Sequence, residues 1–143
     1  MMYQICPEGF KSKFEIVSCF IEHDGEILLL HRQSHKSEGN TWGLPAGKIH
    51  SGEDSQKAII REIQEETGLD IPQSQVSYST TVYVRYQAYD FVCHIFHTKL
   101  TERQQIRINQ EEHKAFVWAS PRSALKLPLI QDQDAGIKLY YKL

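Results

Sequence analysis

Apolar residues gather mainly in short, β-prone runs along this chain. Phe14–Ile21 reads FEIVSCFI and Glu26–Arg32 reads EILLLHR; both are rich in branched and aromatic residues and predict strands. Asp24-Gly25 between them predicts a tight turn. The polar stretch from His31 to Thr41, with Gly39-Asn40 inside it, predicts an exposed loop. Trp42–Gly47 (WGLPAG) predicts a short strand ending in a glycine-dependent turn. Val76–Tyr86 and Tyr89–Leu100 alternate in the manner of two long strands joined tightly, and Lys114–Trp118 predicts one more.

One stretch carries a clear helical period. Ser51–Thr67 predicts a helix with Ser51 as N-cap and Asp54 as its capping-box partner. Ala58, Ile59, Ile63 and the following Leu69 supply its apolar face, and Gly68 stands where a C-terminal cap needs a glycine. Ser120-Pro121 predicts the start of a second helix, and Asp134–Leu143 is weakly helical. Strands in groups, split by a central helix and followed by terminal ones, predict an α+β layered domain rather than a regular βαβ repeat. The length of 143 residues predicts one domain over 1–143. No GxGxxG and no Walker-type loop is present.

Composition narrows the function classes. A net charge of −2 and a pI near 6.4 lack the basic excess of a nucleic-acid binder. No apolar run approaches the roughly 20 residues that span a bilayer, and MMYQICPEGFKSKF lacks the apolar core of a signal peptide. A cytoplasmic protein with neither a membrane nor a nucleic-acid partner is expected. The three cysteines are scattered and form no CxxC pair, so reduced thiols are expected, with Cys19 and Cys93 in the core. The seven histidines show no HExxH spacing.

The chemistry concentrates in the segment REIQEETGL, Arg61–Leu69. At about 100° per residue, Glu62, Glu65 and Glu66 share an arc of roughly 100°, next to the arc of Ile59 and Ile63. Like charges so placed repel by a few tenths of a kcal/mol per pair. Taken alone, such a run also fits a solvated helix face. A divalent cation would turn the repulsion into attraction, and an all-oxygen cluster suits Mg²⁺, or Mn²⁺ as a substitute. Mg²⁺ keeps waters and substrate phosphates in its shell, which points to a phosphate compound.

From Gly47 the chain runs GKIHSGEDSQKAIIREIQEETGL. This resembles the Nudix box, G-x5-E-x7-R-E-U-x-E-E-x-G-U with U a bulky aliphatic residue, and every specified position matches. Gly47, Glu53, Arg61-Glu62, Ile63, Glu65-Glu66, Gly68 and Leu69 fill it in order. The approach WGLPAG and the later Glu111-Glu112-His113 with Trp118 are similar to further family segments. The resemblance implies the Nudix α/β/α sandwich with a mixed sheet, a central helix carrying the box and C-terminal helices. It implies that Glu65 and Glu66 are the main metal ligands, with the backbone carbonyl of Ala46. Glu62 is implied as a ligand or as the base that activates water. Glu53 is implied to orient the loop, to pair with Arg61 or to reach a metal through water. Arg61 is implied to hold the carboxylates in register. Gly47 is implied to permit a close turn, and Gly68 to stop the helix.

Outside the box the implied roles are looser. Glu112 is a candidate distal base or ligand, with Glu111 a weaker rival. Arg32 and Lys48 are candidates for phosphate contact, and Tyr83, Arg85 and Tyr86 for the substrate pocket. On a strand the last three are equally ordinary packing or surface residues. Trp42 and Trp118 are expected to pack in the core rather than stack on a base. The implied reaction is Mg²⁺-dependent hydrolysis of the diphosphate linkage in a nucleoside diphosphate joined to a further group, with a nucleoside triphosphate or small nucleotide-sugar favoured. The implied partner is a small nucleotide, and the chain a monomer or homodimer. The alternative is a non-catalytic nucleotide sensor; such domains often lose box carboxylates, and here none is lost.

Overall fold

A computed structural model describes residues 1–143. Its strands are β1 (Met2–Tyr3), β2 (Ser12–His23), β3 (Glu26–Arg32), β4 (Trp42–Gly43), β5 (Ala46–Lys48), β6 (Ser77–Arg85), β7 (Asp90–Lys99) and β8 (His113–Ala119). Its helices are α1 (Ser55–Thr67), α2 (Pro121–Ala124) and α3 (Gln133–Tyr141), and Gln73–Gln75 forms a single 3₁₀ turn. No helix is long and apolar enough to cross a membrane.

The sheet is mixed, with the path β1-β6-β7-β2-β3-β4; β5 pairs with β2, and β8 with β3. The pairing of β2 with β7 is parallel, and the other pairings are antiparallel. The reason β2 and β3 read as unbroken apolar runs is now visible. Val17, Cys19, Ile21, Leu28 and Leu30 face the core beneath α1, and Phe20, Ile27 and Leu29 face the core beneath α3. Strands covered on both faces lose the polar alternation of a half-exposed sheet. Phe20 stacks on Tyr140 with centroids 4.6 Å apart, which fastens α3 to its face of the sheet. Each fully buried side chain of this kind contributes about 1.5–3 kcal/mol. The result is the α+β layered domain that the residue pattern predicts, in the α/β/α sandwich form that the resemblance implies.

Two expectations change in detail. The central helix starts at Ser55, not after Ser51. Asp54 is the N-cap, with extended backbone and a side chain accepting from the Lys57 N–H at 2.8 Å. Gly52 has φ +78, a left-handed conformation that no right-handed helix accommodates, so the helix begins beyond it. Gly68 does terminate the helix in the left-handed conformation, its N–H donating to the Gln64 carbonyl. The second change is β1, which exists only because Met2 and Tyr3 pair with Val84 and Tyr83 far along the chain. Trp42 and Trp118 pack against the two cores, and Cys19 is fully buried.

Candidate metal and active site

Arg61 organises the polar end of α1. Its Nε and Nη2 donate to Glu53 Oε2 and Oε1 at 2.8 and 3.0 Å, a bidentate pair. Its Nη1 reaches Glu62 Oε1 at 2.8 Å and Glu65 Oε2 at 3.2 Å, and Nη2 also donates to the Lys48 carbonyl at 3.0 Å. A planar fork with five donors suits this task, whereas an ammonium does not. Glu53 receives the His50 N–H as well, at 3.0 Å. The Arg61 hydrogen bonds, helped by that N–H, hold the Glu53 carboxyl down at about 2. The loop before α1 is thereby tied to the helix through one guanidinium.

The three carboxylates on α1 then part company. Glu66 is only 4% exposed, and its Oε1 accepts the Ala46 N–H at 2.9 Å. Ala46 is placed by its pairing with Ser18 of β2. Glu62 is 9% exposed and lies against Gly47, where an added Cβ would collide with its carboxylate. Glu65 is half-exposed and carries Arg61. Burial pushes the Glu66 carboxyl well above the ordinary range; the Ala46 N–H opposes this, and the charges of Glu62 and Glu112 add to it. Burial also raises Glu62, against the pull of Arg61 and with the help of Glu65 and Glu112. Buried like charges without full compensation are costly, and a divalent cation among them reverses the sign. The residues present therefore fit a hard, oxygen-preferring ion.

Glu112 and His113 arrive from the other side, at the entry to β8. The Asn109 carbonyl accepts both of their N–H groups, at 3.1 and 2.9 Å, and His113 pairs with Arg32 at the end of β3. One ligand atom each from Glu66, Glu112 and His113 lies within 4.8 Å of the others. Burial, with Arg32 and Lys36 nearby, lowers the His113 imidazole to about 4.

Beside this cluster opens a cavity whose floor is apolar, with Ile16, Val82, Phe91 and Ile95 in it. Arg32, Ala46, Glu66 and His113 line one end, and Gln131, Asp132 and Gln133 line it from the start of α3. Gln133 Oε1 accepts the Leu44 N–H at 3.1 Å and so ties that wall to the segment before β5. Tyr86 also lines the cavity, its hydroxyl donating to the Gln131 carbonyl at 3.0 Å.

The structure thus brings together Glu62, Glu65, Glu66, Arg61, Glu53, Gly47, Ala46, Glu112 and Arg32. It sets three other candidates apart. Val82 and Val84 of β6 face the cavity, so the two-residue period of a strand turns Tyr83 and Arg85 to the opposite face. There Tyr83 packs edge-on against Phe10, and Arg85 pairs with Asp90 at 3.0 Å. The Lys48 ammonium lies 4.3 Å over the Phe14 ring rather than in the cavity. The pocket role expected of Tyr83 and Arg85 and the phosphate contact expected of Lys48 do not match these placements. In the other direction, Gln131 and Gln133 join the site without having been singled out, and so does His113, which was named only as part of the segment Glu111-Glu112-His113 and given no role. For His113 the only local signal was its position next to Glu112, and for the other two there was none.

The chain matches the NUDIX domain family over residues 13–140. It is 30% identical over 117 residues to a CTP pyrophosphohydrolase of Escherichia coli (strain K12), covering 80% of this chain and 82% of that protein. It spans 90% of its own length but 46% of Nudix hydrolase 2 of Arabidopsis thaliana, at 25% identity. Among solved structures, a MutT NUDIX hydrolase from Burkholderia pseudomallei superposes with a TM-score of 0.76 at 25% identity, over 87% of this chain and 95% of that one. The E. coli ORF135 protein does so at 0.75 and 27%, over 96% and 94%. A box complete in every carboxylate, the sandwich that presents it and these likenesses agree: the chain belongs to the Nudix family and is a Nudix-type pyrophosphohydrolase.

Proposed function

We propose that this chain hydrolyses the diphosphate linkage of a nucleoside triphosphate in the presence of Mg²⁺, with Mn²⁺ as a substitute ion. The observation that carries the reading is the convergence of Glu62 and Glu112 on Glu66, which with Arg32 lines one end of an apolar cavity. An apolar floor with polar groups at one end suits a ligand whose ring system is buried and whose phosphates stay at the mouth. The likeness to a CTP pyrophosphohydrolase favours a triphosphate over a nucleotide-sugar.

Glu66 and Glu65 would hold the ion, with the Ala46 carbonyl and Glu112 as further donors. A bound Mg²⁺ supplies charge neutralisation for the diphosphate and a more acidic water. Arg32 offers a guanidinium to the phosphate oxygens. Glu62 is placed to take the proton of the attacking water. Arg61 holds its Oε1 at 2.8 Å, leaving Oε2 for the proton, and burial raises the affinity of this carboxylate for one. The oxygen of that water bonds to phosphorus, and the bridging P–O bond breaks to release a nucleotide and a phosphate fragment. Arg61 and Glu53 keep Glu62 in place and need not touch substrate.

The deciding experiment incubates the purified protein with CTP, the other nucleoside triphosphates and a nucleotide-sugar, with Mg²⁺ and with EDTA, and resolves products by mass. Metal-dependent release of a nucleotide product upholds the reading. Nucleotide binding without turnover in the presence of Mg²⁺ overturns it in favour of a sensor.

A further inference from the structure

His113 is 4% exposed, and its Nδ1 is buried without a hydrogen-bond partner. Such groups are almost always satisfied in folded proteins, so an orphan in a functional cavity points to a missing ligand. The residue is held firmly by its backbone instead. Its N–H donates to Asn109 at 2.9 Å, its carbonyl accepts from Gln33 Nε2 at 3.5 Å, and it pairs with Arg32 across β3. A ring nitrogen of His113 and carboxylate oxygens of Glu66 and Glu112 all lie within 4.8 Å of one another, yet the ring forms no hydrogen bond with either carboxylate. Donors on opposite sides of one ion, each at about 2.1 Å, stand roughly 4 Å apart. Arg32, the cation beside the cluster, is held by the Ser37 carbonyl at 2.8 Å.

We propose that His113 gives an imidazole nitrogen to a divalent ion shared with Glu66 and Glu112, and that this nitrogen tilts the site toward a first-row transition ion such as Mn²⁺ over Mg²⁺. The physical basis is ligand softness. Mg²⁺ takes oxygen and dehydrates reluctantly, while imidazole strengthens binding along the first transition row. The inference rests on the hydrolytic reading for the ion's purpose, but not for its binding.

The test uses the full chain and Mn²⁺ as the probe. Pulsed electron paramagnetic resonance of the Mn²⁺ complex reads coupling to ligand nitrogen directly. The wild type is expected to show imidazole nitrogen coupling, and His113→Gln to lose it. In competition titrations His113→Gln is expected to weaken Mn²⁺ about tenfold and Mg²⁺ less than twofold. No nitrogen coupling in the wild type, coupling retained in His113→Gln, or equal weakening of both ions overturns the proposal. The wild-type spectrum needs no variant, so the test stands even if His113→Gln fails to fold. Coupling without turnover of any nucleotide upholds this site and overturns the hydrolytic reading; turnover without coupling does the reverse.

Discussion

Gly47 and Glu62 compete for one space: a Cβ on Gly47 would fall inside the Glu62 carboxylate. The first glycine of the box is thus required by the glutamate fifteen positions later, and not by a left-handed turn, since Gly47 has no positive φ. Gly47→Ala is expected to displace Glu62 from Arg61. Overpacking of this kind costs about 1–3 kcal/mol. Urea unfolding should show that loss together with a fall in Mg²⁺-dependent turnover; unchanged turnover would mean that Glu62 has no part in the chemistry.

Glu66→Gln keeps an oxygen for the Ala46 N–H and removes a charge that burial disfavours. It is expected to fold at least as stably as the wild type yet lose more turnover than the about 10–100-fold typical of an outer ligand partner. Glu65→Gln, on the exposed side of α1, is expected to fold normally and also lose most activity. Circular dichroism and steady-state kinetics check both, and near wild-type rates in the pair would sink the metal assignment.

Arg61→Lys retains the charge but not the fork. Loss of the bidentate contact to Glu53 should cost about 10–100-fold in kcat through misplaced carboxylates. Rescue of KM but not kcat in this variant would support a positioning role rather than substrate contact.

The Glu53–Arg61 pair sets a pH signature. The folded carboxyl titrates at about 2, below its ordinary 4.5, so the folded state releases this proton more readily than the unfolded chain does. The pair's stabilisation is therefore fully present above pH 4.5 and is lost as pH falls from there through about 2. Urea melts of wild type and Glu53→Gln should differ most at neutral pH and converge across that window. A constant difference would mean that the ion pair does not stabilise the fold.

Substrate contacts should divide by face. Arg32→Ala is expected to raise KM about 10–100-fold, the worth of a charge-assisted hydrogen bond of about 1.5–3 kcal/mol. Arg85→Ala and Tyr83→Phe, on the far side of β6, should leave kcat/KM within about twofold. A large effect at Arg85 would show that substrate reaches the other face of the sheet.

Much of this molecule was legible along the chain. Helical phase depends only on consecutive residues, so the shared arc of Glu62, Glu65 and Glu66 was readable before any fold was known. The double-sided apolar runs of β2 and β3, the cap at Gly68 and the spacing of the box were equally local. Tertiary structure decided what local phase does not contain. It buried Glu62 and Glu66 but left Glu65 half-exposed, because only packing against β5 tells one edge of the arc from another. It turned Val82 and Val84 inward and Tyr83 and Arg85 outward, because the face a strand presents is set by its register against β7. It brought His113 to Glu66 and Gln133 to Leu44 across long stretches of chain, where no periodicity links one partner to the other. The sequence by itself determined the carboxylate chemistry and the elements that carry it, because both rest on neighbours along the backbone. Only the folded sheet decided which side chains stand around that chemistry, because strand order and register arise from contacts between distant residues.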